Sequence, residues 1–293
     1  MIMKKIVVPR NLENIDDMLF LADAFLFGVE SLSVHFENTY SLEQLKSVIL
    51  KLKDKGKDVF LSCNKNYDRN DLSILESCLR EIETLPIAGV FFYDLAVLEL
   101  VKEKKLNITL VWDQEHMTTN YFSANFYEKE GVQGICLSTN LTLKEIESIK
   151  KKTNMFCITP VFGYYPMFES KRHLVKNYLE TFSLESSNGY YQIEKEGKIY
   201  PITDHNLGTT VYTSVPLNAV KESKLLKEQG MDYLMFQEKL LDHSLFVKIL
   251  ECYNQYLNSG EQKWIDQVDQ LLEGKYDLGF LYKETIYRVK KHG

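Results

Sequence analysis

Short apolar runs alternate with amphipathic stretches along most of the chain. The apolar runs fall at Ile6–Pro9, Ala24–Glu30, Asp58–Asn64, Gly89–Asp94, Ile108–Asp113, Gly134–Ser138, Met155–Thr159 and Met231–Gln237. They are rich in Val, Ile, Phe and Cys and do not alternate strictly with polar residues. Strands covered on both faces of a parallel sheet have this composition. The stretches between them carry helix signals. Ser41-Leu42-Glu43-Gln44 and Thr142-Leu143-Lys144-Glu145 fit the capping box, in which two side chains satisfy the first free amides of a helix. Lys55-Gly56 closes the helix that Ser41 opens. Further helices are expected over Leu217–Gly230 and Ser244–Leu257. Eight strand–helix beats predict an α/β fold, a (β/α)8 TIM-barrel-like sheet, with an open doubly wound sheet as the alternative.

The interval between the seventh and eighth strands is too long for one loop and one helix. It holds Tyr190–Glu194, Lys198–Ile202 and Thr209–Thr213, with bends at Glu196-Gly197 and Asn206–Gly208. These predict a small antiparallel β insertion over about 181–215. Residues 1–260 are thus expected to form one barrel carrying the insertion. Residues 261–293 are expected to form a C-terminal extension: a short helix from Trp264, then an extended basic end.

Composition narrows the class. The 293 residues are 45% apolar and 26% charged, with a net charge of −6. That excludes a disordered or collagen-like chain and gives no global basic footprint for nucleic acid, leaving a local basic patch open. The apolar run near Met1 is too short for a signal peptide, and no stretch approaches the roughly 18 apolar residues of a membrane span. The five cysteines, Cys63, Cys78, Cys136, Cys157 and Cys252, include no C-x-x-C pair. Reduced thiols and a cytoplasmic location are expected, without a zinc ribbon.

In a barrel the chemistry gathers where strands end in loops on the C-terminal face. The densest cluster there is Trp112-Asp113-Gln114-Glu115-His116, which offers either an acid/base pair or two metal ligands. Asp113 and Glu115 are the catalytic candidates, with Asn120 beyond them, and no metal centre is predicted. The most unusual stretch runs from Phe162 to Arg172. Gly163 permits a close backbone approach, Tyr164 offers a ring for stacking, and Ser170 and Lys171 add polar contacts. Arg172 can grip a carboxylate or phosphate and is the third catalytic candidate. No G-x-S-x-G elbow, phosphate loop or G-x-G-x-x-G occurs.

The stretch Val161–Arg172 resembles, in frame, the motif E/Q-V-x-H-G-x-x-C-x-x-x-S-x-R of the collagenase-like peptidase family U32. Asn177-Tyr178, Trp112–Glu115 with Thr119-Asn120, and Gly279–Tyr287 resemble its short branch, so the likeness covers most of the chain. It implies a component of tRNA wobble-uridine 5-hydroxylation that acts with a longer paralogous subunit and contacts tRNA. It leaves open a peptidase and a non-catalytic partner barrel. Two departures stand out: Phe162 replaces the family histidine and Pro166 replaces the family cysteine. Hydroxylating relatives use a cysteine-bound iron–sulfur cluster, and the cysteine set that follows the motif is not matched here. No cofactor is therefore expected on this chain.

Overall fold

The structure is a computed structural model that describes residues 3–186, 190–205 and 207–283. In chain order its elements begin with β1 (Lys4–Val8), α1 (Ile15–Met18), β2 (Ala24–Val29), β3 (Thr39–Tyr40), α2 (Leu42–Asp54) and β4 (Asp58–Cys63). They continue with α3 (Leu72–Glu83), β5 (Gly89–Phe92), α4 (Leu95–Glu103), β6 (Leu110–Trp112), α5 (Tyr121–Lys129), β7 (Gly134–Cys136), α6 (Leu143–Lys152) and β8 (Phe156–Gly163). After these come β9 (Pro166–Ser170), α7 (Leu174–Phe182), β10 (Tyr190–Lys195), β11 (Lys198–His205) and β12 (Gly208–Tyr212). The last are β13 (Leu217–Asn218), α8 (Val220–Glu228), β14 (Tyr233–Gln237), α9 (His243–Ser259) and α10 (Lys263–Leu271).

Eight strands close into a parallel barrel in the order β1, β2, β4, β5, β6, β7, β8, β14, with β14 pairing back onto β1. This is the expected TIM-barrel-like architecture, and closure excludes the open doubly wound sheet. The strand period of two divides the apolar residues between two cores. Ile6, Leu26, Phe60, Phe91, Val111, Cys136, Ile158 and Met235 fill the barrel interior. Their neighbours Val7, Phe25, Leu61, Phe92, Trp112, Ile135, Cys157 and Phe236 pack in the outer layer. Both capping boxes are present: Ser41 with Gln44 at α2, and Thr142 with Glu145 at α6. Gly56 follows α2 at φ 68°, the left-handed conformation expected of a closing glycine.

The antiparallel sheet lies between β8 and β14 in sequence, in the order β10, β11, β12, β9. It starts earlier than the expected insertion, because Pro166–Ser170 forms its fourth strand by pairing with β12. That segment lies in the stretch read from sequence as a loop at the barrel mouth. Its partner comes some forty residues later, so no local hairpin signal marks it. Beyond α9, Val268 and Leu272 bury into the outer core, and Leu143 donates its N–H to the Leu281 carbonyl at 3.1 Å. The extension is thereby joined to the barrel as far as Lys283. The expected basic end and motif residues 284–287 lie outside the described residues. No helix among the described residues is long and apolar enough to cross a membrane.

Candidate active site at the barrel mouth

The C-terminal strand ends surround a cavity of about 60 Å³, bounded by Asp113, Glu115, His35, Cys136, Ser138, Tyr165, Pro166 and Gln237 among others. That volume has room for no more than a few waters. Asp113 enters it by strand period: Val111 faces inward, so the residue two further on does too. Its N–H donates to the Phe92 carbonyl at 2.9 Å, which continues the β6 register by one residue. Burial raises the Asp113 carboxyl to about 7, and the charge of Glu115 adds to the rise. A hydrogen bond with Cys136 and the charge of His35 oppose it. Near neutral pH this acid therefore exchanges its proton readily, as a general acid or base requires. The Cys136 thiol is pushed well up by burial and by Asp113, the reverse of what a thiolate nucleophile needs.

Glu115 sits at φ 25°, and His35 at φ 69°. Both are backbone conformations that non-glycine residues seldom adopt. Their side chains meet: His35 Nδ1 lies 2.9 Å from Glu115 Oε1. The pair is close enough for ionic attraction, though Nδ1 is not aligned for a hydrogen bond. The other ring nitrogen, Nε2, makes a 2.8 Å hydrogen bond with Oε2 of Glu169 on β9. The imidazole is only 12% exposed. Burial opposes its charge, but Glu115 and Glu169 prevail and raise it to about 9. In return, His35 overcomes the burial of Glu169 and holds that carboxyl below its usual range.

The loop that presents His35 is tied down on both sides. Ser33 Oγ accepts from the Val29 N–H at 2.7 Å and donates to the Ser62 carbonyl at 2.5 Å. Asn64 Oδ1 accepts from the Val34 N–H at 2.9 Å. Behind the ring, Lys239 donates to the Phe36 carbonyl at 3.1 Å and bonds the Tyr212 hydroxyl on β12. Burial lowers this amine to about 7.

The sequence candidates separate once placed in three dimensions. Asp113 and Glu115 come together in the cavity. Asn120 caps α5, its side-chain oxygen accepting from the Ser123 N–H at 2.9 Å. Gly163 lies at φ 123° at the end of β8 against Gln237. Tyr164 packs against the outer core, whereas its neighbour Tyr165 turns inward, 6% exposed, and donates to the Phe162 carbonyl at 3.2 Å. A bulge contributes to this change of facing: Met235 pairs with Pro160 and Phe236 with Phe162, leaving Val161 extra. Phe162 packs in the outer layer, tilted against Phe246 and edge-on to Tyr253. Ser170 Oγ accepts from the Arg172 N–H at 3.1 Å, and the Arg172 side chain is exposed. Lys171 lies 3.3 Å from Asp68 in an open groove beside the cavity, which Lys65, Tyr93 and Glu169 also line. His35 escaped the sequence reading, and Cys136, Tyr165 and Glu169, although in segments singled out there, received no individual site role, because no spacing relates the four.

The cysteines test the fit of an iron–sulfur cluster, which takes four thiolates. Cys136 and Ile158 are register partners on adjacent strands, and Cys157 is offset by one residue, so Cys136 faces the barrel interior and Cys157 the outer layer. Cys63 also lies in the outer layer, Cys78 is on α3 and Cys252 on α9. This donor set does not fit a cluster. His116 Nδ1 lies 3.0 Å from the Asn140 amide. Among the described residues no group of three or more histidine, cysteine or acidic side chains is arranged to hold a metal ion.

A model of peptidase family U32 matches residues 10–290. The chain is 23% identical to tRNA hydroxylation protein P2 of Bacillus subtilis (strain 168) over 287 residues, covering 91% of this chain and 93% of the relative. It is 16% identical to tRNA hydroxylation protein P1 of the same strain over 268 residues, covering 85% of this chain and 63% of that longer protein. The solved structure of the U32 peptidase Mk0906 shares the fold, with a TM-score of 0.50 at 13% identity, covering 81% of this chain and 93% of that one.

Proposed function

We propose, since the chain belongs to peptidase family U32, that it is a component of tRNA wobble-uridine 5-hydroxylation acting with a longer paralogous subunit. Its likeness to B. subtilis P2 over nearly the whole of both chains supports this, as does its weaker likeness to the longer P1. The observation that carries it to the site is the pairing of Asp113 with Glu115 at the barrel mouth. A uracil edge sets a carbonyl acceptor beside an N–H donor. A protonated Asp113 donates to the first while an ionised Glu115 accepts from the second. Lys171 and Arg172 contribute phosphate contacts from beside the mouth, positioning the RNA without reading its sequence. The oxidising chemistry belongs to the paralogous subunit, since the thiols here do not form a cluster ligand set. Such a protein works in the cytoplasm, where tRNA is modified.

Deletion of the gene followed by mass spectrometry of tRNA nucleosides tests this. Hydroxylated wobble uridines are expected to disappear, to return with the wild-type gene, and not to return with Asp113→Ala. Unchanged wobble uridines in the deletion strain would overturn it. A cysteine-peptidase reading has less support, because the cavity thiol Cys136 is held protonated.

A further inference from the structure

We infer that His35 is the positioning residue of this site: one ring nitrogen fixes Glu115 in the cavity, and the other, through Glu169, holds the antiparallel sheet shut over the barrel mouth. The part that concerns substrate entry rests on the reading of the barrel mouth as the substrate site. Three segments distant in sequence meet at this one ring: the loop after β2, the loop after β6, and β9. The ion pair is attained with both His35 and Glu115 at positive φ, a strained conformation that persists only where the surroundings enforce it. The loop behind His35 is fixed by Ser33 and Asn64, so the ring is the stationary member of the trio. Glu169 is the movable one. It is on an insertion strand rather than a barrel strand, and it also faces the open groove where Lys171 stands.

A cavity of about 60 Å³ is too small for a nucleobase. Entry of a ring-sized ligand therefore needs the sheet to lift, and the His35–Glu169 bond is one that has to part. Glu115 then keeps its place, since its ion pair with His35 does not involve the sheet. The groups that face His35 are Glu115, Glu169, Asp113 and His205, and Lys239 acts on His205 from behind.

The test uses the full chain and two variants. In Glu169→Gln, hydrogen exchange of β9 and β12 amides is expected to quicken about tenfold while β4–β6 amides stay protected. In His35→Gln the same amides quicken, and in addition the Asp113 carboxyl, followed by carbon NMR, titrates at a higher pH because a neighbouring cation is gone. Nitrogen NMR of the wild type is expected to show both His35 ring nitrogens protonated at pH 7.5. A neutral His35 at that pH, or unchanged exchange in Glu169→Gln, or an unmoved Asp113 titration in His35→Gln, would overturn the inference. None of these readouts needs tRNA. If deletion of the gene leaves wobble uridines unchanged, the functional reading falls while the clamp is still judged on exchange and titration.

Discussion

Gly163 and Gln237 approach so closely that a Cβ added to Gly163 would stand 2.6 Å from the Gln237 carbonyl oxygen and 2.8 Å from its Cβ. The contact joins the last residue of β8 to the last of β14 at the rim of the cavity, and Gly163 makes it at φ 123°. Both the space and the backbone conformation exclude a side chain. Gly163→Ala is expected to cost on the order of 2–3 kcal/mol, read as a lower urea midpoint with an unchanged slope. A substitution that leaves the midpoint in place would show that β8 and β14 separate easily.

Asp113 makes stability depend on pH with a definite sign. Its folded carboxyl titrates near 7, above the unfolded value, so the folded state holds the proton more tightly. That stability is fully present below about pH 4 and is lost as pH rises through 7. Asp113→Asn keeps the hydrogen-bonding shape and abolishes the ionisation. It is expected to gain on the order of 2 kcal/mol relative to wild type between pH 5 and pH 8, after allowing for partial solvent access. Parallel stability profiles of the two proteins would contradict the raised carboxyl.

His35 acts in a different pH window. Its folded value of about 9 exceeds the ordinary 6.5, so the stability it contributes is complete below pH 6.5 and lost as pH rises through 9. Denaturation of wild type and His35→Gln should therefore diverge most at pH 6 and converge above pH 9.5. A difference that is constant with pH would mean that packing, not charge, underlies the effect.

Asn120 is expected to matter for stability alone. Asn120→Ala removes the cap of α5 at a cost of about 1 kcal/mol, and Asn120→Asp restores it. Wobble-uridine hydroxylation in cells, normalised to protein level, should be unaffected by either change. A loss of hydroxylation in Asn120→Asp would place this side chain on the substrate instead.

Lys171 and Arg172 are expected to act through phosphate. Lys171→Ala and Arg172→Ala should each weaken binding of an anticodon stem–loop RNA a few-fold, equally for different loop sequences. Each should also lower the slope of log affinity against log salt by about 1. A sequence-dependent effect would assign them to the base instead.

The barrel was legible because its causes are local. Each strand declares itself by a β-rich apolar run such as Ala24–Val29, and each helix by a cap such as Thr142 with Glu145. Parallel strands alternating with helices have few ways to cover both faces, so the local signals suffice for the architecture. Asp113 was legible for the same reason: strand period and a position at a strand end carry it into the mouth. β9 was not legible, because its partner β12 lies across α7 and two other strands. The facing of Tyr164 and Tyr165 depends on the backbone path beyond a bulge that no residue type announces. The meeting of His35 with Glu115 and Glu169 depends on closure of the barrel, which brings strand ends together without regard to their separation in sequence. The sequence by itself thus determined the repeating unit and two carboxylates at the candidate site, Asp113 and Glu115. Only the tertiary structure decided which distant charges share a ring, because long-range juxtaposition comes from sheet curvature and packing and leaves no periodic trace along the chain.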